Sequence, residues 1–123
     1  MKKKVIITDD DNAMQDALRL IFERAGYEAT IYANGNSLLN NGHELPDIYI
    51  LDKQLSGVDG LDICRHLKAQ ARSSNIPVIM LSATPNIAKL AIEAGAAAFL
   101  EKPFKMRDLL ELTAAHVDAI QEA

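Results

Sequence analysis

The stretch IYILD at residues 48–52 places an acidic residue directly after four apolar residues. Three other short, nearly continuous apolar runs lie at Val5–Ile7, Ile76–Leu81 and Ala96–Leu100. Runs of this kind are typical of strands that are covered on both faces in a parallel sheet. A fifth segment, Tyr27–Ala33, alternates apolar and polar residues, which predicts an edge strand with one partly solvated face.

Helical patterns separate these runs. Apolar or small residues recur at helical spacing in four stripes: Met14, Leu18, Ile21 and Ala25; Gly60, Ile63, Leu67 and Ala71; Ile87, Leu90, Ala91 and Ala94; and Met106, Leu109, Leu110, Thr113, Ala114 and Val117. Ser37–Asn41 is a weaker, short helix candidate. Strands that alternate with helices, without a linker, predict one α/β domain over residues 1–123, with a doubly wound parallel five-stranded sheet.

The composition is that of an ordinary globular protein. Of the 123 residues, 49% are apolar and 24% are charged, which excludes disordered, collagen-like and coiled-coil classes. No apolar run approaches the roughly 18 residues of a membrane span, and the N-terminus lacks the apolar region of a signal peptide. A single cysteine, Cys64, suits a reducing cytoplasm. The net charge of −4 argues against direct binding of nucleic acid.

Polar residues stand at the ends of the predicted strands. The first strand leads into Asp9–Asp11, the third ends at Asp52, the fourth ends at Ser82, and Lys102 follows the fifth. In open parallel sheets, ligands bind beyond these carboxyl ends. Two or three carboxylates suit magnesium, while a lysine and a hydroxyl can position and neutralise a phosphoryl group. An aspartate can itself act as the nucleophile.

Most of these residues, taken alone, have a plain structural explanation. An aspartate after a strand usually caps a turn or a helix, and we expect Asp11 or Asn12 to cap the helix that starts near Ala13. Asp52 differs, because a buried and unpaired carboxylate costs several kcal/mol. The cluster, rather than any one member, predicts a functional site.

Six motifs occur in a fixed order: VIITDDD at residues 5–11, PDIYILD at 46–52, GVDG at 57–60, IPVIMLSA at 76–83, EAGA at 93–96 and KPF at 102–104. In this order and spacing, the sequence resembles the receiver domain of bacterial two-component response regulators over essentially its whole length. The resemblance implies a flavodoxin-like (βα)5 fold with strand order 2-1-3-4-5.

The resemblance also implies a phosphoacceptor and a metal site. Asp52 corresponds to the aspartate that takes a phosphoryl group from a phosphohistidine of a sensor histidine kinase or phosphotransfer protein. Asp9, Asp10 and Asp52, with the backbone carbonyl of Gln54, correspond to the ligands of Mg2+, for which Mn2+ can substitute. A receiver domain of this kind is not an enzyme acting on other substrates, since it catalyses only its own phosphorylation and dephosphorylation.

Three more positions correspond to the residues that bind the phosphate and transmit the switch. Lys102 matches the lysine that pairs with the carboxylate and later with a phosphoryl oxygen, and its bond to Pro103 matches one that is usually cis. Ser82 matches the switch hydroxyl and Phe99 the aromatic switch. Phosphorylation is then expected to change the surface formed by the fourth helix, fifth strand and fifth helix.

The sequence departs from the family pattern in three respects, one of which is that Ser82 and Phe99 stand where threonine and tyrosine are also common. Ser56 stands where proline is common, which predicts a looser loop after Asp52. The stretch from Ser82 to Lys102 is shorter than usual, which predicts a trimmed entry to the fourth helix. Outside the motifs, Cys64 is interpreted as a small core residue. The histidines have no metal-ligand spacing and are interpreted as solvated surface residues. They are His43, His66 and His116.

Two alternative functions remain open at this point. In a phosphatase of the haloacid dehalogenase type, Asp9 would be the nucleophile, but that family needs a later acidic pair, and Asp52 would have no role. A receiver-like scaffold that works without phosphate is the second alternative. The cognate kinase, the output partner or a missing effector domain, and homodimerisation are not specified by the sequence.

Overall fold

Strands and helices alternate along the chain in the computed structural model, which describes residues 2–40 and 42–122, with side chains up to residue 117. The strands are β1 (Lys4–Thr8), β2 (Glu28–Tyr32), β3 (Ile48–Asp52), β4 (Val78–Ser82) and β5 (Ala98–Glu101). The helices are α1 (Asn12–Arg24), α2 (Asn36–Leu39), α3 (Gly60–Ala69), α4 (Ala88–Glu93) and α5 (Met106–Glu122). Within these ranges, no helix is both long and apolar enough to cross a bilayer.

The strands form one parallel sheet in the order β2-β1-β3-β4-β5, which confirms the predicted doubly wound α/β fold. β2 lies on one side of β1, whereas β3, β4 and β5 lie on the other side. The order of the strands therefore reverses between β1 and β3, and the carboxyl ends of these two strands flank the switch point of the sheet. Asp52 lies beside Leu81, and Ser82 lies beside Glu101. This register brings the polar strand ends to a single edge.

Two apolar cores cover the two faces of the sheet. On one face, alternate strand residues such as Tyr49 and Met80 pack with α2, α3 and α4, including the fully buried Cys64. On the other face, residues such as Ile50 and Leu81 pack with α1 and α5. Because both faces are covered, every residue of β3 and β4 is buried, as their continuous apolar runs predict.

Capping residues fix where the helices begin and end. Asp11 caps α1, as predicted, because its side chain accepts a hydrogen bond from the N–H of Ala13 at 3.1 Å. Asp59 caps α3 by accepting from the N–H of Leu61 at 2.8 Å. Gly26 follows α1 with a φ of +95°, a left-handed conformation that glycine adopts without strain.

Two strands begin later than the apolar runs suggest. The N–H of Ile76 bonds to the carbonyl of Ser73 at 3.0 Å, and the N–H of Ala96 bonds to that of Ala91 at 3.0 Å. Both residues therefore complete turns after the preceding helix instead of joining β4 or β5. The predicted short helix at Ser37–Asn41 corresponds to α2, although Asn41 lies outside the described residues.

Three side chains differ from the sequence-based interpretation. His43 is only 6% exposed, so its interpretation as a surface histidine is wrong: its Nε2 lies 2.6 Å from the hydroxyl of Tyr49, which satisfies the ring inside the fold. Leu90, assigned to an apolar stripe, is 42% exposed on α4. Ala71, assigned to another stripe, lies beyond the end of α3 at Ala69 and is exposed.

Candidate functional site

The polar strand ends meet at the carboxyl edge of the sheet, and backbone pairing holds them there. The ladder continues one residue past several strands. The N–H of Asp9 bonds to Tyr32 at 3.2 Å, and the N–H of Lys102 bonds to the carbonyl of Ser82 at 2.9 Å. The backbones of Asp9, Asp52, Ser82 and Lys102 are therefore placed by the sheet itself.

Three carboxylates form the centre of this edge. Carboxylate oxygens of Asp9, Asp10 and Asp52 all lie within 4.8 Å of one another. Asp9 and Asp52 are only 1% and 6% exposed, whereas Asp10 is exposed to solvent. Three anionic oxygen donors with one open side form a donor set that fits a hard divalent cation such as Mg2+, which prefers oxygen ligands and retains several waters.

Lys102 supplies a cation to the two buried carboxylates. Its Nζ lies 3.2 Å from Asp52 Oδ2 and 3.4 Å from Asp9 Oδ2. The Lys102–Pro103 peptide bond is cis, as the resemblance implies. One ammonium group opposes three carboxylates, so the cluster keeps an excess of negative charge toward solvent.

The buried charges shift one another's protonation equilibria. Burial raises the pKa of Asp52, and the charge of Asp9 raises it further, while Lys102 and the N–H of Gln54 offset only part of this increase. Burial by itself would lower the pKa of Lys102, but attraction to the two carboxylates outweighs burial and raises it. The ionised form of Asp52 is therefore disfavoured by its surroundings, and a second cation beside it would relieve that cost.

The loops after β3 and β4 contact each other beside Asp52. Asp52 Oδ1 accepts a hydrogen bond from the N–H of Gln54 at 3.2 Å. The side-chain amide of Gln54 donates to the hydroxyl of Thr84 at 2.9 Å, and the N–H of Thr84 donates to the hydroxyl oxygen of Ser82 at 2.9 Å. Ser82 is fully buried, and its hydroxyl oxygen serves as an acceptor here, so its proton remains available to donate.

Phe99 lies on β5 and not at the site edge. It is opposite Met80 in the register of the sheet and packs, half-buried, against the core cluster on the α3 and α4 face. Phe99 thus lies on the strand next to the one that carries Ser82, on the face of the sheet that α4 covers.

Ser56 is a site residue whose role the sequence analysis missed. Its N–H and its hydroxyl both donate to Asp10 Oδ2, at 3.1 Å and 3.0 Å. The loop after Asp52 is therefore tied to the loop after β1 by two hydrogen bonds that the sequence analysis did not foresee, and a looser loop than proline would give stays a prediction. The signal was the hydroxyl itself, because serine offers two donors where proline offers none.

The fold and the site place this chain among the flavodoxin-like α/β proteins. Within that class, it has an acidic ligand site, with a lysine and a hydroxyl, at the switch point of the sheet. A family model described as the response regulator receiver domain matches residues 5–114. The chain belongs to this family, and it is thus a receiver domain of the two-component response regulators, a signalling class. Family membership and strand order favour this identity over the phosphatase alternative.

Individual relatives agree with the family assignment. The DNA-binding response regulator MtrA of Mycobacterium leprae (strain TN) is 32% identical over 113 residues, which cover 89% of this chain and 49% of the relative. MtrA of Mycobacterium tuberculosis (strain ATCC 25618 / H37Rv) is also 32% identical over 113 residues, covering 89% of this chain and 48% of the relative. The chain thus spans about half the length of the curated relatives that it matches.

Solved structures show the same fold over nearly the whole chain. A putative response regulator from Chloroflexus aurantiacus J-10-fl has a TM-score of 0.90 at 30% identity, covering 96% of this chain and 99% of that one. The receiver domain of the sensor histidine kinase PA1611 from Pseudomonas aeruginosa PAO1 has a TM-score of 0.87 at 22% identity, with coverages of 96% and 99%. That second structure contains a magnesium ion coordinated in its active-site cleft.

Proposed function

We propose that Asp52 is the phosphoacceptor of this receiver domain. An oxygen of Asp52 attacks the phosphorus of a phosphohistidine, so that a P–O bond forms while the P–N bond breaks and the imidazole nitrogen leaves with the electron pair. The observation that carries this proposal is the position of Asp52 at the end of β3, 3.2 Å from Lys102 and within 4.8 Å of two further carboxylates.

The residues around Asp52 would bind two different groups, the metal ion and the phosphoryl group. Asp9, Asp10 and Asp52, together with the backbone carbonyl of Gln54, would hold Mg2+, and Mn2+ is expected to substitute for it. The ion, when bound, supplies charge neutralisation for the phosphoryl oxygens. Lys102 already lies beside Asp52, and it would exchange part of this ion pair for a phosphoryl oxygen.

We propose that Ser82 and Phe99 couple phosphorylation of Asp52 to a conformational change at the surface. The hydroxyl of Ser82 has a free proton to donate to a phosphoryl oxygen, and its movement would open space toward Phe99 on the neighbouring strand. The surface that would respond is made by α4, β5 and α5. On α4, Leu90 and Ile92 are 42% and 53% exposed, one on each side of the buried Ala91.

Receiver domains of response regulators pair with histidine kinases and output domains. For this chain, we propose a histidine kinase or phosphotransfer protein as the donor and an output domain or separate protein as the target. We also place its action in the cytoplasm and propose that it catalyses only its own phosphorylation and dephosphorylation. Homodimerisation through the α4-β5-α5 surface would be one form of output.

The test is the intact mass of the protein after incubation with acetyl phosphate and Mg2+. We expect a labile gain of one phosphoryl group that Asp52→Asn abolishes. Asp62→Asn is the matched control, because Asp62 is an exposed aspartate on α3 and should leave the gain unchanged. A gain that survives Asp52→Asn would redirect the chemistry to Asp9. No gain in a protein that binds Mg2+ would favour a scaffold that works without phosphate.

A further inference from the structure

Ser56 links two loops of the site through a single carboxylate oxygen. Its N–H and hydroxyl donate to Asp10 Oδ2 at 3.1 Å and 3.0 Å, although the two residues are 46 positions apart in the chain. The serine follows β3 and the aspartate follows β1. The paired bonds therefore span the switch point of the sheet from one strand end to the next.

The other two carboxylates of the site are held by their own loops. The N–H of Asp11 donates to Asp9 Oδ1 at 2.9 Å, and the N–H of Gln54 donates to Asp52 Oδ1 at 3.2 Å. Each is thus fixed by the backbone two residues ahead. The third carboxylate is the exposed one, and in the described structure its side-chain hydrogen bonds come from Ser56.

We propose that Ser56 is a positioning residue for Mg2+, acting through Asp10; this inference rests on the proposed metal site. A carboxylate on an exposed turn loses side-chain freedom when it binds a cation, and two donors on Oδ2 remove part of that freedom in advance. Oδ1 and the remaining lone pairs of Oδ2 stay available to the ion. Hydrogen-bond partners of metal ligands commonly change metal affinity by tenfold or more.

The same bonds also restrain the backbone of a second proposed ligand. Gln54 lies two residues before Ser56 on the same loop, and its carbonyl is the proposed fourth protein ligand. Because Ser56 ties this loop to Asp10, the carbonyl and the carboxylate are held as a unit. Proline at this position would donate neither bond, so this chain orders its metal-binding loop by a different means.

The experiment measures Mg2+ affinity by isothermal titration calorimetry, without any phosphoryl donor. We expect Ser56→Ala to raise the dissociation constant about tenfold, at the lower end of the usual range because the N–H bond remains. Ser56→Thr, which keeps both donors, should restore affinity to near the wild-type value. Ser74→Ala is the control, since this hydroxyl bonds to Ala71 beyond the C-terminal end of α3.

A double variant separates positioning from general loss of structure. In an Asp10→Ala background, Ser56→Ala should cause no further loss of Mg2+ affinity, because the side-chain oxygen through which it acts is gone. An equal loss in both backgrounds, or unchanged affinity of Ser56→Ala alone, would overturn the inference while leaving the proposed function standing. Failure of the wild-type protein to bind Mg2+ would instead refute the metal site of the proposed function itself.

Discussion

Replacing Lys102 by methionine tests whether this lysine neutralises the site before any metal binds. The Nζ atom lies 3.2 Å from Asp52 and 3.4 Å from Asp9, and only a fifth of its side chain is exposed. At an effective dielectric constant of about 20, each attraction amounts to about 5 kcal/mol. The cost of removing the charged amine from water offsets several kcal/mol of these two attractions.

The net cost follows from what the substitution leaves behind. Breaking a buried ion pair by removing one partner costs about 3–5 kcal/mol, since the other charge stays buried and uncompensated. Because Lys102 retains some exposure, we expect the free energy of unfolding to fall by about 3 kcal/mol at neutral pH without metal. The matched control is Lys105→Met, an exposed lysine nearby, which should change it by less than about 0.5 kcal/mol.

The assay is urea denaturation with and without Mg2+, at neutral pH and at about pH 5. Burial and Asp9 already raise the folded-state pKa of Asp52 above its usual 3.8, and loss of Lys102 should raise it further. A group with a raised folded pKa adds stability at low pH that is lost as pH rises through that pKa. The deficit of Lys102→Met should therefore shrink on acidification and on adding Mg2+. A deficit that responds to neither would refute this account of the charge balance.

Three further predictions concern unfolding, each measured by urea denaturation. Asp52→Asn should stabilise the metal-free protein, because burial and Asp9 raise the pKa of this carboxyl and make its ionised form costly; a loss of stability would contradict this. Burial lowers the pKa of His43 below 6.5, so stability should fall as pH drops from 6.5 through the lowered value, and His43→Gln should abolish this slope. Gly60→Ala should cost about 2 kcal/mol, because a Cβ there would lie 2.3 Å from the backbone oxygen of Asp52; a neutral effect would show that the loop can shift.

Most of the fold and the centre of the site could be predicted from the sequence, because both follow from local patterns. Strands buried on both faces produce continuous apolar runs, and polar residues at their ends, such as Asp52 and Lys102, must then share one edge of a parallel sheet. The family and its fold are confirmed, and the phosphoacceptor and ligand roles remain proposals.

The parts that were missed depend on individual hydrogen bonds that residue type and spacing do not indicate. Nothing in the spacing of His43 indicates that the Tyr49 hydroxyl would satisfy its ring in the interior. Likewise, Ser56 was judged only by the stiffness that proline would have given, whereas its role comes from two bonds to a residue on another loop. Ile76 and Ala96 are apolar enough for strands, but hydrogen bonds to the preceding turns hold them outside β4 and β5.

The hydrogen-bond ladder of the sheet continues into the site, so the backbone amides of the site should exchange with solvent at two different rates. The N–H groups of Asp9, Lys53 and Lys102 bond to carbonyls of neighbouring strands or strand ends, so we expect them to exchange more slowly than the amides of the adjoining loops. The loop of Ser56 is held to Asp10 by solvent-exposed hydrogen bonds, so we expect it to open at a lower free energy than the sheet. We therefore expect Asp52 and Lys102 to exchange with the most protected part of the sheet, and the loop that carries Ser56 to exchange earlier.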